Sequence, residues 1–261
     1  MLSLDIGATG MLAQQMHVDV ISNNIANMTT TGYKRQRPEF QDLMYQNKIR
    51  PGATSSDVGT VIPSGIQLGL GVKPGSVYRI MEQGSMQITQ NDYDLAINGR
   101  GYFQIQLPSG ETAYTRAGNF AINNDGDLVT AQGYLVEPNI NIPEDAVDVV
   151  INESGEVLTK QPNTIAFANQ GQIQLAIFTN EGGLEAIGDN LFMETPASNA
   201  PTTGNPQDSG FGKIQQGVRE NSNVNVVEEV TNLITAQRAY EMNSKVIQTS
   251  DEMMNTVSQL R

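Results

Sequence analysis

The sequence predicts an α+β fold with long N- and C-terminal helices paired as a coiled-coil-like bundle, a central antiparallel β domain and an extended bridging segment. Three observations predict it. Apolar residues recur at helical spacing in residues 4–28 and 226–260. Short segments of alternating apolar and polar residues, separated by Gly, Pro, Asn and Asp, fill most of the interval. Residues 47–79 contain six Gly and three Pro, without a helix signal.

These patterns predict three parts that are discontinuous in sequence. Their boundaries are residues 1–30 plus 225–261 for a terminal helical assembly domain, 31–79 plus 213–224 for an extended bridging region, and 80–212 for the central β domain. The predicted arrangement is unusual for an enzyme, because the longest amphipathic helices stand at the extreme ends of the chain.

The N-terminal helix is predicted from a seam of residues at alternating spacings of four and three. Its members are Leu4, Ala8, Met11, Gln15, Val18, Ser22 and Ile25. The segment is a poor helix in isolation, because Gly7 and Gly10 each cost about 1 kcal/mol relative to Ala. Packing must therefore stabilise it, and the C-terminal helix is the most obvious partner.

The bridging segment comes next and is too long for an ordinary connection of about 4–6 residues. Apolar residues alternate at Ile66, Leu68, Leu70 and Val72, which predicts a strand. The sequence leaves open whether this strand pairs within the chain or with a neighbouring chain.

The central β domain is predicted from several short alternating segments. Phe103, Ile105 and Leu107 alternate with Gln, which indicates a half-buried strand. A hairpin is predicted for residues 119–130, turning at Asp125-Gly126. Further strands are predicted at 147–151, 172–179 and 190–194, and residues 195–212 are predicted to be loop.

The C-terminal helix is predicted to begin at Val226, because Asn225 and Glu228 have the spacing of a capping box. It would run to Gln259 and span about 50 Å. Its seam continues the same spacing pattern through Val226, Val230, Leu233, Gln237, Tyr240, Ser244 and Ile247.

We predict that the two seams meet other helices in an assembly. The predicted interface comprises Leu4, Ala8, Met11, Val18, Ile25, Val226, Val230, Leu233, Tyr240, Ile247, Met254 and Leu260. The alternative, which the pattern leaves open, is that both helices fold back and cap one globular core. The length and terminal placement of the helices favour association between chains.

Composition excludes several classes of function. The formal charge of −13 and the pI near 4.4 argue against nucleic-acid binding, which needs clustered Lys and Arg. The one basic cluster, Lys34, Arg35 and Arg37, is interpreted as a solvated turn. The absence of Cys excludes a disulfide framework. We also expect no cleaved signal peptide, because the N-terminus lacks a basic region and polar residues such as Asp5, Gln14 and Gln15 interrupt any apolar core. We expect no membrane insertion, since no apolar run approaches about 20 residues.

Candidate chemical sites fail on residue type or spacing. His17 is the only histidine and has no paired carboxylate or Cys nearby in sequence. Residues 123–127 resemble a calcium loop only faintly, because Ala121 occupies the position of the first acidic ligand. Residues 99–101 lack the strand-to-helix context of a phosphate loop. We therefore expect no enzyme activity, no cofactor and no metal.

Motifs at both ends resemble one family. The N-terminal motif is Ser22-Asn23-Asn24-Ile25-Ala26-Asn27 with Thr31-Gly32-Tyr33-Lys34-Arg35, and the C-terminal one includes Ala236-Gln237-Arg238-Ala239-Tyr240-Glu241 with Asn243-Ser244. They resemble the signatures of bacterial flagellar basal-body rod and hook axial proteins. The family-motif residues are Asn23, Asn24, Ala26, Asn27, Gly32, Gln237, Arg238, Tyr240, Asn243 and Ser244.

Two further stretches favour one branch of that family. Residues 50–56 and 63–72 are most similar to the distal rod members, and proximal rod or hook-type relatives are the alternative. The resemblance implies a structural subunit that polymerises into a rigid helical tube, transmits torque and encloses an export channel. It implies a periplasmic rod location. Implied partners are further copies of the chain, proximal rod and hook-side axial proteins, the surrounding basal-body rings and the flagellar export apparatus.

We further predict that residues 47–72 lock neighbouring subunits and stiffen the tube. The residues expected to matter are Pro51, Gly52, Pro63, Gly65, Leu68 and Gly69. Two other classes fit fewer features. A monomeric surface β protein would need no helical seam, and a cell-wall glycan hydrolase would need a carboxylate pair, for which turn-like Asp92 with Asp94 or Glu144 with Asp145 are available.

Overall fold

The computed structural model describes residues 2–51, 64–162 and 166–259. The chain divides into two compact units. Unit 1 contains Met1–Ile25, Gln36–Tyr78 and Val226–Arg261, and unit 2 contains Ala26–Arg35 and Arg79–Asn225. The predicted α+β class with terminal helices and a central antiparallel β domain is confirmed. The division into three parts stays a prediction.

Two helices form the ends of unit 1: α1 (Leu2–Ala26) and α2 (Val226–Gln259). The 34-residue α2 begins and ends where the sequence predicts, with Glu228 and Glu229 in its first turn. Negative charge there complements the positive end of the helix dipole. The α1 helix gives way to a turn, in which Thr30 N–H donates to the Asn27 carbonyl at 3.2 Å.

The bridging segment of unit 1 forms strands. They are β1 (Gln36–Asp42), β2 (Tyr45–Ile49), β3 (Ile66–Gly69) and β4 (Val72–Arg79). β1 lies beside β4, and β2 pairs antiparallel with β3, with Tyr45 opposite Gly69 and Ile49 opposite Ile66. We call residues 43–51 and 64–71 the arm. The strand predicted from the alternation is confirmed for Ile66–Gly69, which pairs within the chain, but Leu70 lies outside it and Val72 begins the next strand.

Unit 2 is built from short strands. They are β5 (Met86–Ile88), β6 (Leu95–Asn98), β7 (Tyr102–Gln106), β8 (Thr112–Thr115), β9 (Ala121–Ile122), β10 (Leu128–Val129), β11 (Leu135–Glu137), β12 (Asp148–Ile151), β13 (Glu156–Lys160), β14 (Phe167–Gln172), β15 (Leu175–Ile177), β16 (Glu185–Gly188), β17 (Leu191–Met193), β18 (Thr202–Gly204), β19 (Lys213–Gln216) and β20 (Val218–Glu220). A 3-10 turn occupies Glu181–Gly183.

The strands of unit 2 pair antiparallel into one large and three small sheets. The nine-stranded sheet runs β16-β17-β8-β7-β11-β10-β9, with β15 against β7 and β18 against β15. The order β12-β13-β14 forms a second sheet, and β19 with β6 and β20 with β5 form two-stranded pairs. β19 and β20, which precede α2, therefore pair with strands that lie more than a hundred residues earlier.

The core of unit 2 follows from alternation along β7. Phe103 and Ile105 are fully buried in the main hydrophobic cluster. The opposite face of the same strand carries Tyr102 in a second cluster with Tyr114 and Phe178. The half-buried strand of the sequence prediction is therefore wrong in one respect, because aromatic side chains cover the second face as well.

Two other predictions for unit 2 have mixed outcomes. The hairpin turning at Asp125-Gly126 is confirmed, with Ile122 opposite Leu128. The predicted loop at 195–212 is wrong in part, because β18 lies within it and pairs with β15. Its Thr-Thr-Gly sequence is polar, so hydrophobic alternation gives no sign of this edge strand.

Candidate assembly interface

The terminal helices of unit 1 lie antiparallel and close together. A Cβ on Gly7 would lie 2.9 Å from Ile247 Cγ1, and one on Gly10 would lie 2.9 Å from Asn243 Nδ2. At the other end of α1, Asn24 Nδ2 lies 3.3 Å from a Glu229 carboxylate oxygen. Residues later in α1 thus contact residues earlier in α2, as expected for an antiparallel pair. Glycine at these two sites is what permits such close approach.

Asn24 joins three pieces of unit 1. Its Nδ2 donates to the Gln36 carbonyl at 2.8 Å, and its Oδ1 accepts from the Gln36 N–H at 2.9 Å. The side-chain amide thereby pairs with β1 as a neighbouring strand's peptide would. Because the same amide also contacts Glu229, a single buried side chain ties α1, α2 and the first strand together.

His17 occupies an apolar position rather than a chemical site. Its ring meets the Phe40 ring edge-on, with centroids 6.3 Å apart. Burial lowers the pKa of His17, and the charge of Glu229 opposes that shift. The imidazole therefore favours its neutral form, as expected for a group packed between helix and strand.

The α2 side chains that α1 and its neighbours cover are small or polar. Glu229, Ala236 and Ser250 are the buried residues of α2, spaced at seven-residue intervals or multiples of seven. The buried residues of α1 are Gly7, Ala13, Val20, Ile21 and Asn24. The fully buried positions of α2 are therefore small or polar, whereas α1 also buries the apolar side chains of Val20 and Ile21.

Most predicted interface residues lie beside that face. Val226, Val230, Tyr240 and Met254 are exposed by 40% or more. Leu4, Met11, Val18, Ile25, Leu233 and Ile247 are half-buried, Ala8 is exposed, and Leu260 lies outside the described residues. Their role in assembly stays a prediction.

A groove along the helix pair brings some of the predicted residues together. It has a volume of about 460 Å³ and is lined by Gln15, Val18, Gln237, Tyr240 and Glu241. Val18 and Tyr240 come from the two predicted seams, and Gln15 and Gln237 are their polar members. This groove is open on the helix surface of unit 1.

The family-motif residues divide between burial and exposure. Asn24 and Gly32 are buried, while Asn27, Asn243 and Ser244 are half-buried. Exposed members are Asn23, Ala26, Gln237, Arg238 and Tyr240. Arg238 forms an ion pair with Glu241 at 2.9 Å on the helix surface.

The predicted stiffening residues lie on the arm. Pro51 is exposed and Leu68 is half-exposed. A Cβ added to Gly65 would meet Ile49 and Pro51, and one added to Gly69 would lie 3.6 Å from Tyr45 Cε1. Gly52 and Pro63 lie outside the described residues. The effect of these residues on stiffness stays a prediction.

A buried ion triad in unit 2 was missed by the sequence interpretation. Lys34 Nζ lies 2.7 Å from Glu220 Oε1, and Arg116 lies 3.1 Å from Glu220 Oε2. All three side chains are at most 6% exposed. The interpretation of Lys34 as part of a solvated turn is therefore wrong, because a chain segment far away in sequence supplies its carboxylate.

Backbone groups complete the triad. Gly84 N–H donates to Glu220 Oε1 at 2.9 Å, and Lys34 Nζ donates to the Glu82 carbonyl at 2.7 Å. Arg116 donates to the Gly101 carbonyl at 2.7 Å. Desolvation lowers the pKa of Lys34, opposed chiefly by Glu220. Each buried charge thus has a partner, as burial requires.

Gly32 closes the same region. Its N–H donates to the Glu220 carbonyl at 2.8 Å, and its φ is +68°. A Cβ there would lie 2.8 Å from the Ala117 nitrogen. Gly32 therefore sits where a left-handed conformation and a close backbone contact coincide, which explains the need for glycine.

We expect Gly7→Leu to block the α1–α2 contact, although it removes a glycine that disfavours helix formation by about 1 kcal/mol. The larger side chain would overlap Ile247. A graded series with Gly7→Ala as the milder change, read by circular dichroism and by sedimentation of polymers, checks this. Unchanged polymerisation of Gly7→Leu would contradict close helix packing at this position.

In residues 2–51, 64–162 and 166–259, no group of three or more His, Cys, Asp or Glu is arranged to hold a metal ion. Neither described helix is both long and apolar enough to cross a membrane.

Comparisons with known proteins cover both ends and the middle of the chain. Residues 4–34 match the flagella basal body rod protein family, 96–159 match the flagellar hook protein FlgE/F/G D1 domain, and 215–260 match the flagellar basal body rod FlgEFG protein C-terminal region. Unit 2 and the two helices are thus each represented.

Full-length relatives agree. The chain is 59% identical over all of both chains to the flagellar basal-body rod protein FlgG of Caulobacter vibrioides. It is 39% identical to FlgG of Bacillus subtilis, covering 99% of this chain and 98% of that one. The flagellar hook-basal body complex protein FlhP of the same organism is 31% identical, covering 95% and 94%. These names describe parts of the flagellum rather than enzymes, and the chain belongs to the family of FlgG flagellar basal-body rod proteins.

Proposed function

We propose that this chain is a structural subunit of the flagellar distal rod, which polymerises through its terminal helices into a rigid helical tube. The observation that carries the proposal is the helix pair of unit 1. Its own contact brings Gly7 close to Ile247 and Gly10 close to Asn243, while Val, Tyr and Met side chains elsewhere on α2 stay exposed.

The exposed apolar residues of α2 are too numerous for an isolated surface helix. They include Val227 at 76%, Met242 at 68% and Val257 at 62% exposure. Together they extend along most of the helix, and extended apolar surface on a soluble protein marks an interaction site. Helices of further copies would cover it, which gives the coiled-coil-like bundle that the sequence predicts.

The polymer follows from the geometry of such contacts. When the surface patches that meet are different on the two copies, the contact repeats without closing and generates a helical assembly. A tube built in this way would carry torque along its wall and leave a lumen for exported subunits. Its function would then be mechanical, with no catalytic step and no cofactor.

The proposed partners come from the family. They are other copies of this chain, proximal rod and hook-side axial proteins, the surrounding basal-body rings and the flagellar export apparatus. We place the subunit in the periplasmic rod, exported without a cleaved signal peptide. The 59% and 39% identities to FlgG proteins, against 31% to FlhP, favour the distal rod over another axial position.

The experiment that tests this function is polymerisation of the purified full-length chain, followed by electron cryomicroscopy. We expect open-ended tubes with a continuous lumen and with the terminal helices in the inner wall. Closed rings, or tubes whose inner wall is formed by unit 2, would overturn the proposal. Restoration of swimming in cells that lack their own distal rod subunit provides the functional readout.

The arm is proposed to stiffen this tube. Ile49 and Ile66 are opposite each other in the β2–β3 pair, so an Asn-Gly turn can replace residues 50–65 and still close the hairpin. We expect this variant to form tubes with a several-fold shorter persistence length, because the exposed end of the arm no longer reaches a neighbour.

Imaging of tube curvature is the measurement. The matched control keeps the length of residues 50–65 but scrambles their order, which separates the need for a specific sequence from the need for a spacer. If the shortened variant forms tubes as straight as those of the wild type, the arm does not contribute to rigidity.

A further inference from the structure

Charge is distributed unevenly along the chain. Residues 82–212 contain 17 Asp and Glu but only three Lys and Arg, which gives a formal charge of −14. The whole chain carries −13, so the remainder is close to neutral. Unit 2 as a whole contains 18 Asp and Glu against eight Lys and Arg, a formal charge of −10, and so holds most of the negative charge of the molecule.

The arm has the opposite sign. Lys48 and Arg50 lie toward its outer end, Lys73 follows it in β4, and its described residues include no Asp or Glu. Every residue of β2 is exposed. Among the residues that the structure describes, Lys48 and Arg50 have no carboxylate partner. Within the described part of the hairpin, two exposed cations thus lack a carboxylate partner.

Unit 2 presents a matching pair of carboxylates on its large sheet. Glu137 accepts a hydrogen bond from Thr112 Oγ1 at 3.1 Å, and Glu194 follows β17. The register places Glu137 opposite Gln104, Gln104 opposite Tyr114 and Tyr114 opposite Phe192. Glu194 follows Phe192 by two residues, so both glutamates lie on the face of the sheet that carries Tyr114. Burial first, and then the charges of Glu194 and Glu137, raise the pKa of Tyr114 to about 12. Both glutamates are exposed, and neither forms an ion pair within the described part of the chain.

We propose that the arm of one copy docks on the sheet face of a second copy, with Lys48 and Arg50 facing Glu137 and Glu194. The inference rests on the proposed function and names the surface that the arm contacts. Opposite charge favours this occupant. A copy that presented its arm to another arm would bring like charges together, which is unfavourable.

Such a contact has an electrostatic signature. Exposed charges are screened over about 8 Å at physiological ionic strength. Polymerisation should therefore weaken as salt rises, and the slope should fall when Lys48 and Arg50 are neutralised. A contact made only by the apolar residues of the arm would strengthen with salting-out ions instead.

Cross-linking tests the docking directly. The wild-type chain has no Cys, so introduced thiols are unique. Two versions of the chain that differ in mass are mixed: one carries Asn47→Cys on the arm, and the other carries Gln106→Cys on the sheet face. In the control mixture, the second version carries Ser209→Cys instead of Gln106→Cys. We expect a disulfide between copies for the first pair and not for the control. Absence of the disulfide between copies would overturn the proposal. So would a disulfide that forms within a single chain carrying both Asn47→Cys and Gln106→Cys.

Charge reversal provides the second measurement. We expect Lys48→Glu with Arg50→Glu to raise the critical concentration for polymerisation about tenfold. Glu137→Lys with Glu194→Lys should raise the critical concentration by a similar factor. A chain that combines all four changes should polymerise at about the wild-type critical concentration. Glu144→Lys with Asp145→Lys is the matched control on another part of unit 2.

The outcomes separate the two proposals. If all charge variants polymerise as the wild type does, the docking surface is wrong and the rod function stands. If the wild type forms no tubes at all, the rod function fails, and the cross-link between copies still decides whether arm and sheet face meet.

Discussion

Glu220→Ala is expected to unfold unit 2 more readily than any surface change, with a loss of about 3–5 kcal/mol in the free energy of unfolding. Glu220 is fully buried, and it is the carboxylate partner of both Lys34 and Arg116. Its removal leaves two buried cations without a counter-ion. Urea unfolding of the full-length chain, followed by circular dichroism, measures the effect.

The control for this prediction is a solvent-exposed Lys–Glu ion pair on the surface of unit 2. Lys213 and Glu153 lie 2.9 Å apart with side chains 39% and 54% exposed. Glu153→Ala should change stability by no more than about 1 kcal/mol, because exposed pairs are weak. A similar small change for Glu220→Ala would show that the triad does not stabilise unit 2.

A double-variant cycle isolates the charge effect. Lys34→Met combined with Glu220→Gln removes one cation and one anion together and leaves Arg116 an amide oxygen as acceptor. We expect the double variant to lose less free energy of unfolding than the sum of the losses of the two single variants. The reason is that each single change leaves a buried charge unpaired, and the second change removes that charge. Strict additivity would mean that the residues act through packing rather than charge.

Val230→Asp combined with Tyr240→Asp is expected to abolish polymerisation while leaving the monomer intact. Both side chains are more than 40% exposed in the described chain. A carboxylate there is solvated in the monomer, and surface substitutions of this kind usually change stability by less than about 0.5 kcal/mol. In the proposed bundle each carboxylate would instead be buried against another helix without a partner, which is strongly unfavourable.

The measurement has two readouts. Monomer unfolding should match that of the wild type, whereas sedimentation and electron microscopy should show no tubes. Gln248→Asp, an exposed polar position of the same helix, is the matched control for added charge. Tubes formed by the double variant at the wild-type concentration would remove Val230 and Tyr240 from the interface.

The helices and many strands were predictable because their signals are local. The bounds of α2 follow from Asn225, Glu228 and a periodic apolar pattern, and the hairpin turning at Gly126 follows from its turn residues. By contrast, β18 is short and polar, so its pairing with β15 depends on neighbours that no local pattern reveals.

The buried ion triad was beyond sequence reasoning for a related reason. Lys34, Arg116 and Glu220 lie in separate motifs, and nothing in their spacing indicates that they meet. The face of the helix pair was also hard to predict, since Gly7, Gly10 and Asn243 are not apolar. The predicted seam does contain Ile247, which lies against Gly7, but it gives no sign that Asn243 faces Gly10.

The triad also makes the stability of unit 2 depend on an intact chain. Lys34 and Glu220 are separated by 186 residues, so any chain that ends before Glu220 lacks the carboxylate for both cations. Closing so long a loop is slow, because its entropic cost precedes the contact. A chain truncated before Glu220 would leave Lys34 and Arg116 buried without their carboxylate, so its β unit would be less stable and more open to proteolysis. The start of unit 2 is thus stable only when its last strand, β20, is present.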